Sequence, residues 1–310
     1  MINYYNTTNN VIKLTDSLEP GTWVNVVNPT LDERTTLANY GLPMDFITYP
    51  LDLDEKSHFE REEGDITFIL LRIPIFQGKE QDVPFTTIPI GAILTKENIF
   101  TICTKPYDTL QDFATNKVRG VSTHKPKRFL LQLFMRIAAN YLFHLREINR
   151  SVDFVEDQLQ KSMRNKELLE LLKLQKSLVY FTTALKSNEI LLERMQRHQY
   201  FKQFPEDVDL LEDVVIENQE AIQISDISTN ILSSMMDAFA SIISNNLNSV
   251  MKFLASITIV LSIPTIVASL FGMNVAIPLA GNPLGFWLIF GISILISGVI
   301  VLVFLKKDWF

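Results

Sequence analysis

The residues best suited to chemistry fall on one stretch of the chain. Stepping by seven from Asp237 reaches Ser244, Met251, Thr258 and Thr265, and stepping by seven from Ser241 reaches Asn248, Ala255, Ser262 and Ser269. The two series interleave at steps of four and three, so on a helix they make one face. An acid, hydroxyls, an amide and small side chains on a single face offer oxygen acceptors to water or to a hydrated cation. The remaining faces carry Phe253, Ile257, Ile259, Val260, Ile263, Ile266 and Val267, as contact with lipid or neighbouring helices requires. Two readings fit the stripe. One is close helix packing, for which Ser, Thr and Ala are the usual interface residues. The other is the lining of a water-filled pore; one helix cannot enclose a pore, so this reading requires an oligomer.

The segment leading into the stripe is acidic. From Gln203 to Met251 there are nine acids (Glu206, Asp207, Asp209, Glu212, Asp213, Glu217, Glu220, Asp226 and Asp237) and no Lys or Arg, in a chain whose net charge is −7. A solvated helix face is the ordinary explanation; attraction of cations is the other. Pro205 opens the segment and no breaker follows until Pro264, which predicts a single stalk helix.

The elements that must position these residues begin with a membrane anchor. Phe253 to Leu305 is a run of 53 residues without Asp, Glu, Lys, Arg or His. As one helix it would be roughly 80 Å long, far beyond the ~30 Å hydrocarbon core of a bilayer. It must break, and Gly272, Asn274, Pro278, Gly281, Asn282, Pro283 and Gly285 mark where. Two spans follow, about 253–271 and 286–305, joined by a loop at 272–285. Lys252 precedes the first span and Lys306 and Lys307 follow the second, which places both flanks and both termini in the cytoplasm and the loop outside, at the cell membrane. The opening MINYYNTTNN has neither a basic start nor an apolar core and is not expected to be a signal peptide. The single cysteine, Cys103, fits a buried thiol in a reducing compartment, and the acidic balance disfavours nucleic acid as a partner.

Residues 1–125 read as a mixed α/β cytoplasmic domain. Trp23–Val27 and Ile66–Ile75 are strand-like, Thr86–Leu94 and Ile99–Thr104 flank Lys96-Glu97-Asn98 as a hairpin, and Thr30 with Glu33 forms a capping-box pattern. From 126 to 202 the pattern changes to a long helical hairpin turning near Arg164-Asn165. Its apolar seams run through Phe134, Ile137, Tyr141, Leu145, Ile148, Val152, Val155 and Leu159, and through Leu171, Leu174, Leu178, Phe181, Leu185, Leu192 and Met195. Helix packing accounts for these seams without chemistry. The histidines, His58, His124, His144 and His198, are isolated and read as packing or surface residues. There is no phosphate-binding glycine loop, no His-Glu-x-x-His, no paired-cysteine motif and no nucleophile elbow, so no enzyme and no organic cofactor is expected.

At the end of the first span stand Phe271-Gly272-Met273-Asn274. A Gly-Met-Asn tripeptide alone is an ordinary helix C-cap. Together with two C-terminal spans, a basic tail at 306–310, a long helix at 203–271 entering the membrane and an N-terminal α/β domain, it resembles the CorA family of divalent-cation channels. The resemblance is architectural over the whole chain and motif-specific from about Asp237 onward. It implies an α+β cytoplasmic domain with long stalk helices and two C-terminal transmembrane helices, assembled as a homopentameric funnel that carries Mg²⁺, and also Co²⁺ or Ni²⁺, inward. It implies a selectivity filter at Gly272, Met273 and Asn274, with an Asn274 ring at the outer mouth. Mg²⁺ dehydrates reluctantly, and amide oxygens accept hydrogen bonds from its waters without stripping them. Gly272 would free the backbone for the turn that places Asn274, and Met273 would pack.

The resemblance also matches pore-facing positions to Asp237, Asn248, Met251, Thr258, Ser262 and Thr265, much the stripe that also holds Ser241 and Ser244, and an apolar constriction to Leu254. Met251 and Leu254 would be a hydrophobic gate closing by dewetting. Asp213 falls where the family has an acidic ligand for regulatory cytosolic Mg²⁺ bound between subunits; its partner is not placed, with Asp52 and Asp54 as candidates. The ordinary reading of all three acids is a solvated surface. The chain departs from better-known members in having no acid between Val275 and Gly285, Ser269 where they have Gly, and Phe271 where they have Tyr. A Zn²⁺ transporter of the same family is the near alternative. A membrane-tethered oligomeric interaction protein, whose spans only anchor, is the alternative from another class.

Overall fold

The computed structural model describes every residue except 63–64, 163–164, 202–203, 274–283, 308 and 310. The expected filter residue Asn274, most of the interspan loop, Arg164 of the expected turn, the first residue of the expected stalk, Gln203, and Asp308 and Phe310 of the tail lie outside the described residues. The chain divides into two compact units, Met1–Ser234 and Met235–Phe310.

The first unit is built on a seven-stranded sheet with the order β2-β1-β3-β7-β6-β5-β4. Its strands are β1 (Ile2–Thr8), β2 (Val11–Thr15), β3 (Thr22–Val27), β4 (His58–Glu62), β5 (Ile66–Phe76), β6 (Phe85–Leu94) and β7 (Ile99–Cys103). Neighbours are antiparallel except for β3 and β7, which run parallel with Trp23 opposite Ile99. The hairpin at Lys96-Glu97-Asn98 closes with Leu94 opposite Ile99, and the Thr95 N–H donates to the Asn98 carbonyl at 2.9 Å. The β1–β2 hairpin was not expected from the sequence. It turns on Asn9 and Asn10, both with positive φ (52° and 61°), a conformation Asn adopts more readily than most residues.

One face of the sheet is covered by α1 (Leu31–Asn39) and α2 (Met44–Thr48). The Thr30–Glu33 capping box is formed in both directions at the start of α1. Val24, Val26, Leu37, Phe46, Ile47, Phe68, Leu70, Phe100 and Ile102 are buried together there, with the Phe46 and Phe68 rings stacked at 4.6 Å. After α3 (Asp108–Ala114) come α4 (Pro126–Ser162) and α5 (Asn165–Arg197). These two long helices carry the seams read from the sequence, and every seam residue is buried except the half-buried Val155. They meet the strands through aromatic contacts such as Trp23 with Phe129 (5.1 Å) and Phe85 with Phe181 (6.2 Å). Cys103 is fully buried, and burial pushes its thiol pKa up to about 12, so it stays protonated.

α6 runs unbroken from Pro205 to Phe271, 67 residues, and α7 from Gly285 to Lys306. Both are long and apolar enough to cross a membrane, with mean hydropathy reaching 2.2 and 3.0 over their most apolar stretches. Aromatic residues cluster at both ends of α7: Phe286, Trp287 and Phe290 at its start, and Phe304 stacked on Trp309 at 5.1 Å near its finish. Aromatic rings and lysines are enriched where helices meet a membrane surface.

Candidate functional site

The second unit sorts the residues of α6 into two faces. Ser256 is fully buried, and Ile257, Val260, Ile263, Pro264 and Val267 are half-buried. The stripe is different. Asp237, Ser241, Ser244, Asn248, Met251, Leu254, Thr258 and Thr265 are all exposed, and Ser262 is half-buried. Thus most of the stripe is left open by its own chain, as are Phe253, Ile259, Leu261, Ile266 and Leu270 on the other faces. Met251 and Leu254, each 57% exposed, add two large apolar side chains to the open side just before the hydroxyl-bearing turns.

The stripe hydroxyls have a defined polarity. Thr258 donates to the Leu254 carbonyl (2.9 Å), Ser262 to Thr258 (2.7 Å) and Thr265 to Leu261 (3.2 Å). A hydroxyl has one hydrogen and two lone pairs. With the hydrogen committed to the helix backbone, each group turns only acceptor oxygen outward. A ladder of acceptors favours water that points its hydrogens at the helix, which is the orientation of water around a cation.

At the end of α6 the Gly272 N–H donates to the carbonyls of Ala268 (2.9 Å) and Ser269 (3.2 Å). Gly272 is not among the glycines with positive φ, and the turn it is expected to allow leads to Asn274, outside the described residues. A Cβ there would come within 3.2 Å of the Ala268 oxygen, a tight contact. Met273 is 54% exposed.

Asp213, Asp52 and Asp54 are all exposed. No group of three His, Cys, Asp or Glu side chains arranged to hold a metal occurs among the described residues, so one chain does not bring these acids together as a three-ligand site. The turn that carries Asp52 and Asp54 is nonetheless firmly held. The Asp54 N–H donates to Asp52 Oδ1 (3.0 Å). Arg72 donates from Nη1 to the carbonyls of Leu53 (2.9 Å) and Glu55 (2.7 Å), and from Nε and Nη2 to the hydroxyl and carbonyl of Thr87. Asn188 of α5, 1% exposed, accepts from the Ser57 hydroxyl (2.7 Å) and the Arg72 N–H (3.0 Å), and donates to the Arg72 carbonyl (2.9 Å). β4 begins at His58, opposite Leu70, so on that side the Arg72 backbone has no strand to pair with, although Pro89 of β6 lies opposite it on the other side, and the Asn188 amide takes the missing place. Sequence reading missed this node. Its signal was an amide, Asn188, standing between Leu185 and Leu192 in an apolar seam.

The histidines pack as expected. His124 Nε2 meets the Thr7 carbonyl (3.0 Å), His144 Nδ1 lies 3.1 Å from Glu147, His198 Nδ1 accepts from the Tyr200 N–H, and His58 sits between Tyr49 and Phe68. At the start of α6, Glu206 pairs with Arg128, and the guanidinium holds its carboxyl pKa below the ordinary value.

An α+β body, long helices and two C-terminal helices long and apolar enough to span a bilayer define the class of a two-span membrane protein. The sequence matches the family described as CorA-like Mg²⁺ transporter protein over residues 20–307. The chain belongs to that family of divalent-cation transporters. A cobalt/magnesium transport protein CorA of Methanocaldococcus jannaschii is 27% identical over 293 residues, which cover 93% of this chain and 90% of the relative. Among solved structures, the complete CorA magnesium transporter from Methanocaldococcus jannaschii has a TM-score of 0.87 at 24% identity, covering 100% of this chain and 99% of that one. The full-length CmaX protein has a TM-score of 0.73 at 16% identity, covering 100% and 98%. The ZntB cytoplasmic domain from Vibrio parahaemolyticus has 0.63 at 10%, covering 78% and 98%. The structural likenesses are likenesses of fold.

Proposed function

We propose that this transporter is a passive, gated channel for Mg²⁺, admitting Co²⁺ and Ni²⁺, that assembles as a homopentamer in the cell membrane with both termini cytoplasmic. The observation that carries the proposal is the open acceptor face of α6: Thr258, Thr265 and their neighbours are uncovered within one chain and have their hydrogens turned to the backbone. Five such faces around an axis enclose a path that a hydrated cation can follow. Asn274, at its outer mouth, selects the ion through its waters, since amide oxygens grip less tightly than carboxylates. Met251 and Leu254 form the gate, which closes by excluding water. Cytosolic Mg²⁺ at Asp213, with Asp52 or Asp54 of a neighbouring copy, favours the closed state. No nucleotide is required, because inward movement of a divalent ion gains roughly 4.6 kcal/mol per 100 mV, from ~2.3 per elementary charge.

The test is Mg²⁺ uptake into proteoliposomes under an imposed potential. Asn274→Ala is expected to abolish uptake while the oligomer survives. Undiminished uptake by that variant overturns the proposal, and Zn²⁺ carried in preference to Mg²⁺ by the parent replaces the cargo.

A further inference from the structure

In the second unit one backbone acceptor and two side-chain donors are left over at the same level. Pro264 lies inside α6. Its ring nitrogen carries no hydrogen, so the Val260 carbonyl lacks its α-helical partner. Within hydrocarbon no water replaces that partner, and neighbouring helices must supply it. Val260 and Pro264 stand on the face of α6 that is turned inward with Ser256, Ile263 and Val267.

α7 turns its own line inward: Gly285, Ile289, Ser293, Ser297, Ile300 and Phe304, at steps of four and three. Ser293 is 3% exposed, and the Oγ atoms of Ser293 and Ser297 are both buried without a hydrogen-bond partner. The hydroxyls of the α6 span behave otherwise. Ser256, Thr258, Ser262 and Thr265 each donate to the carbonyl four residues back.

The two spans run in opposite directions with the same rise per residue. Eight residues inward from Phe271 is Ile263, and eight inward from Gly285 is Ser293; twelve residues inward reaches Ile259 and Ser297. Counting twelve from the basic ends, Lys252 and Lys306, reaches Pro264 and Ile294, which agrees with the first count to two residues, about 3 Å. The two unpaired hydroxyls therefore stand within about one helical turn of the level of the carbonyl that Pro264 leaves free.

We propose that Ser293 and Ser297 are positioning residues for the ion path, donating from α7 to the Val260 carbonyl as a strap and so replacing the backbone hydrogen bond that Pro264 removes from α6. In this structure the strap is open, and a closer approach of α7 completes it. Pro264 stands about two turns before Gly272, so the strap fixes where the outer end of α6, with Thr265 and the filter beyond it, stands against α7. Its consequence for transport rests on the reading of α6 as the pore helix; the strap itself does not.

A double-mutant cycle in the assembled full-length protein tests this. Ser293→Ala with Ser297→Ala is expected to lower the melting midpoint by about 3 °C and Mg²⁺ uptake about threefold, the scale of interhelical hydrogen bonds in membranes. Pro264→Ala restores an N–H to α6, and in that background both losses should vanish. Equal losses in the two backgrounds, or none in the parent, overturn the proposal. Should Pro264→Ala fail to assemble, Thr and Val at positions 293 and 297 decide instead: Thr keeps the hydroxyl and should retain both readouts, Val should not, and equal behaviour of the two overturns the strap. The melting cycle does not depend on transport. Intact uptake by Asn274→Ala would remove the pore reading and leave the cycle standing, whereas an uncoupled cycle beside a dead Asn274→Ala removes the strap alone.

Discussion

The α4–α5 pair and the membrane half of α6 share one sequence grammar, residues of a kind recurring at steps of three and four, and put it to opposite uses. Along α4 and α5 the repeated residues are Leu, Ile and Phe, and a single chain covers nearly all of them: Leu145, Ile148, Leu178, Phe181 and Leu185 have no exposed surface. Along α6 the repeated residues are Ser, Thr and Asn, and the same chain leaves them open. Periodicity shows that a face exists; coverage shows only which residues the chain's own helices pack, and Thr258, two positions on from the buried Ser256, is not one of them.

The largest expected effect breaks the covered side of that comparison. Phe181 is fully buried between Tyr141 (ring centroids 5.2 Å apart) and Phe85. Phe181→Ala should cost about 3–5 kcal/mol, the lost transfer of the ring plus the cavity left behind. Denaturant unfolding of the full-length protein checks it, and a loss below about 1 kcal/mol would mean that the seam is not the core it looks to be.

The open side should respond in the opposite way. Thr258→Val keeps shape and volume but removes the acceptor oxygen. It should leave the melting midpoint unchanged and slow Mg²⁺ uptake about three- to tenfold, the worth of one hydrogen bond to a passing hydration shell. A variant that melts early and transports normally would return the stripe to helix packing.

How much of this was readable beforehand follows the same division. The α4 and α5 seams, the length of α6, the β6–β7 hairpin and the Thr30–Glu33 cap were legible because each is a local pattern with one physical solution. The stripe was legible as a face, not as an open one, because burial depends on partners that no local pattern names. The inward line of α7 was illegible for a different reason. A helix apolar on every side has no amphipathic stripe to reveal which side packs, so Ser293 and Ser297 passed as two hydroxyls among many. The Arg72–Asn188 node joins residues more than one hundred positions apart, and only the folded sheet shows that Arg72 lacks a strand neighbour on the β4 side. The β1–β2 hairpin was overlooked although Asn9-Asn10 announced it, because polar residues such as Asn3, Asn6 and Thr7 dilute the strand alternation around it.

The smallest expected effect separates the two ends of α6. Near its start, Glu206 is paired with Arg128, whose guanidinium lowers the carboxyl pKa. A carboxyl depressed in the folded state adds stability above its unfolded pKa, and that contribution disappears as pH falls through the lower folded value. The pair should thus hold at neutral pH and weaken below about pH 4.5, the ordinary value for this carboxyl. Glu206 is exposed, so solvent screens the pair and the effect is slight. Glu206→Gln should flatten the acid limb of a melting-versus-pH curve without altering the plateau at neutral pH by more than a small margin, and high salt should reproduce the flattening in the parent. Thr258→Val, which removes no charge, should leave that limb unchanged. If Thr258→Val moved the acid limb as Glu206→Gln does, the two ends of α6 would be titrating as one element, and the separation between an ion-paired end and an acceptor-lined end would fail.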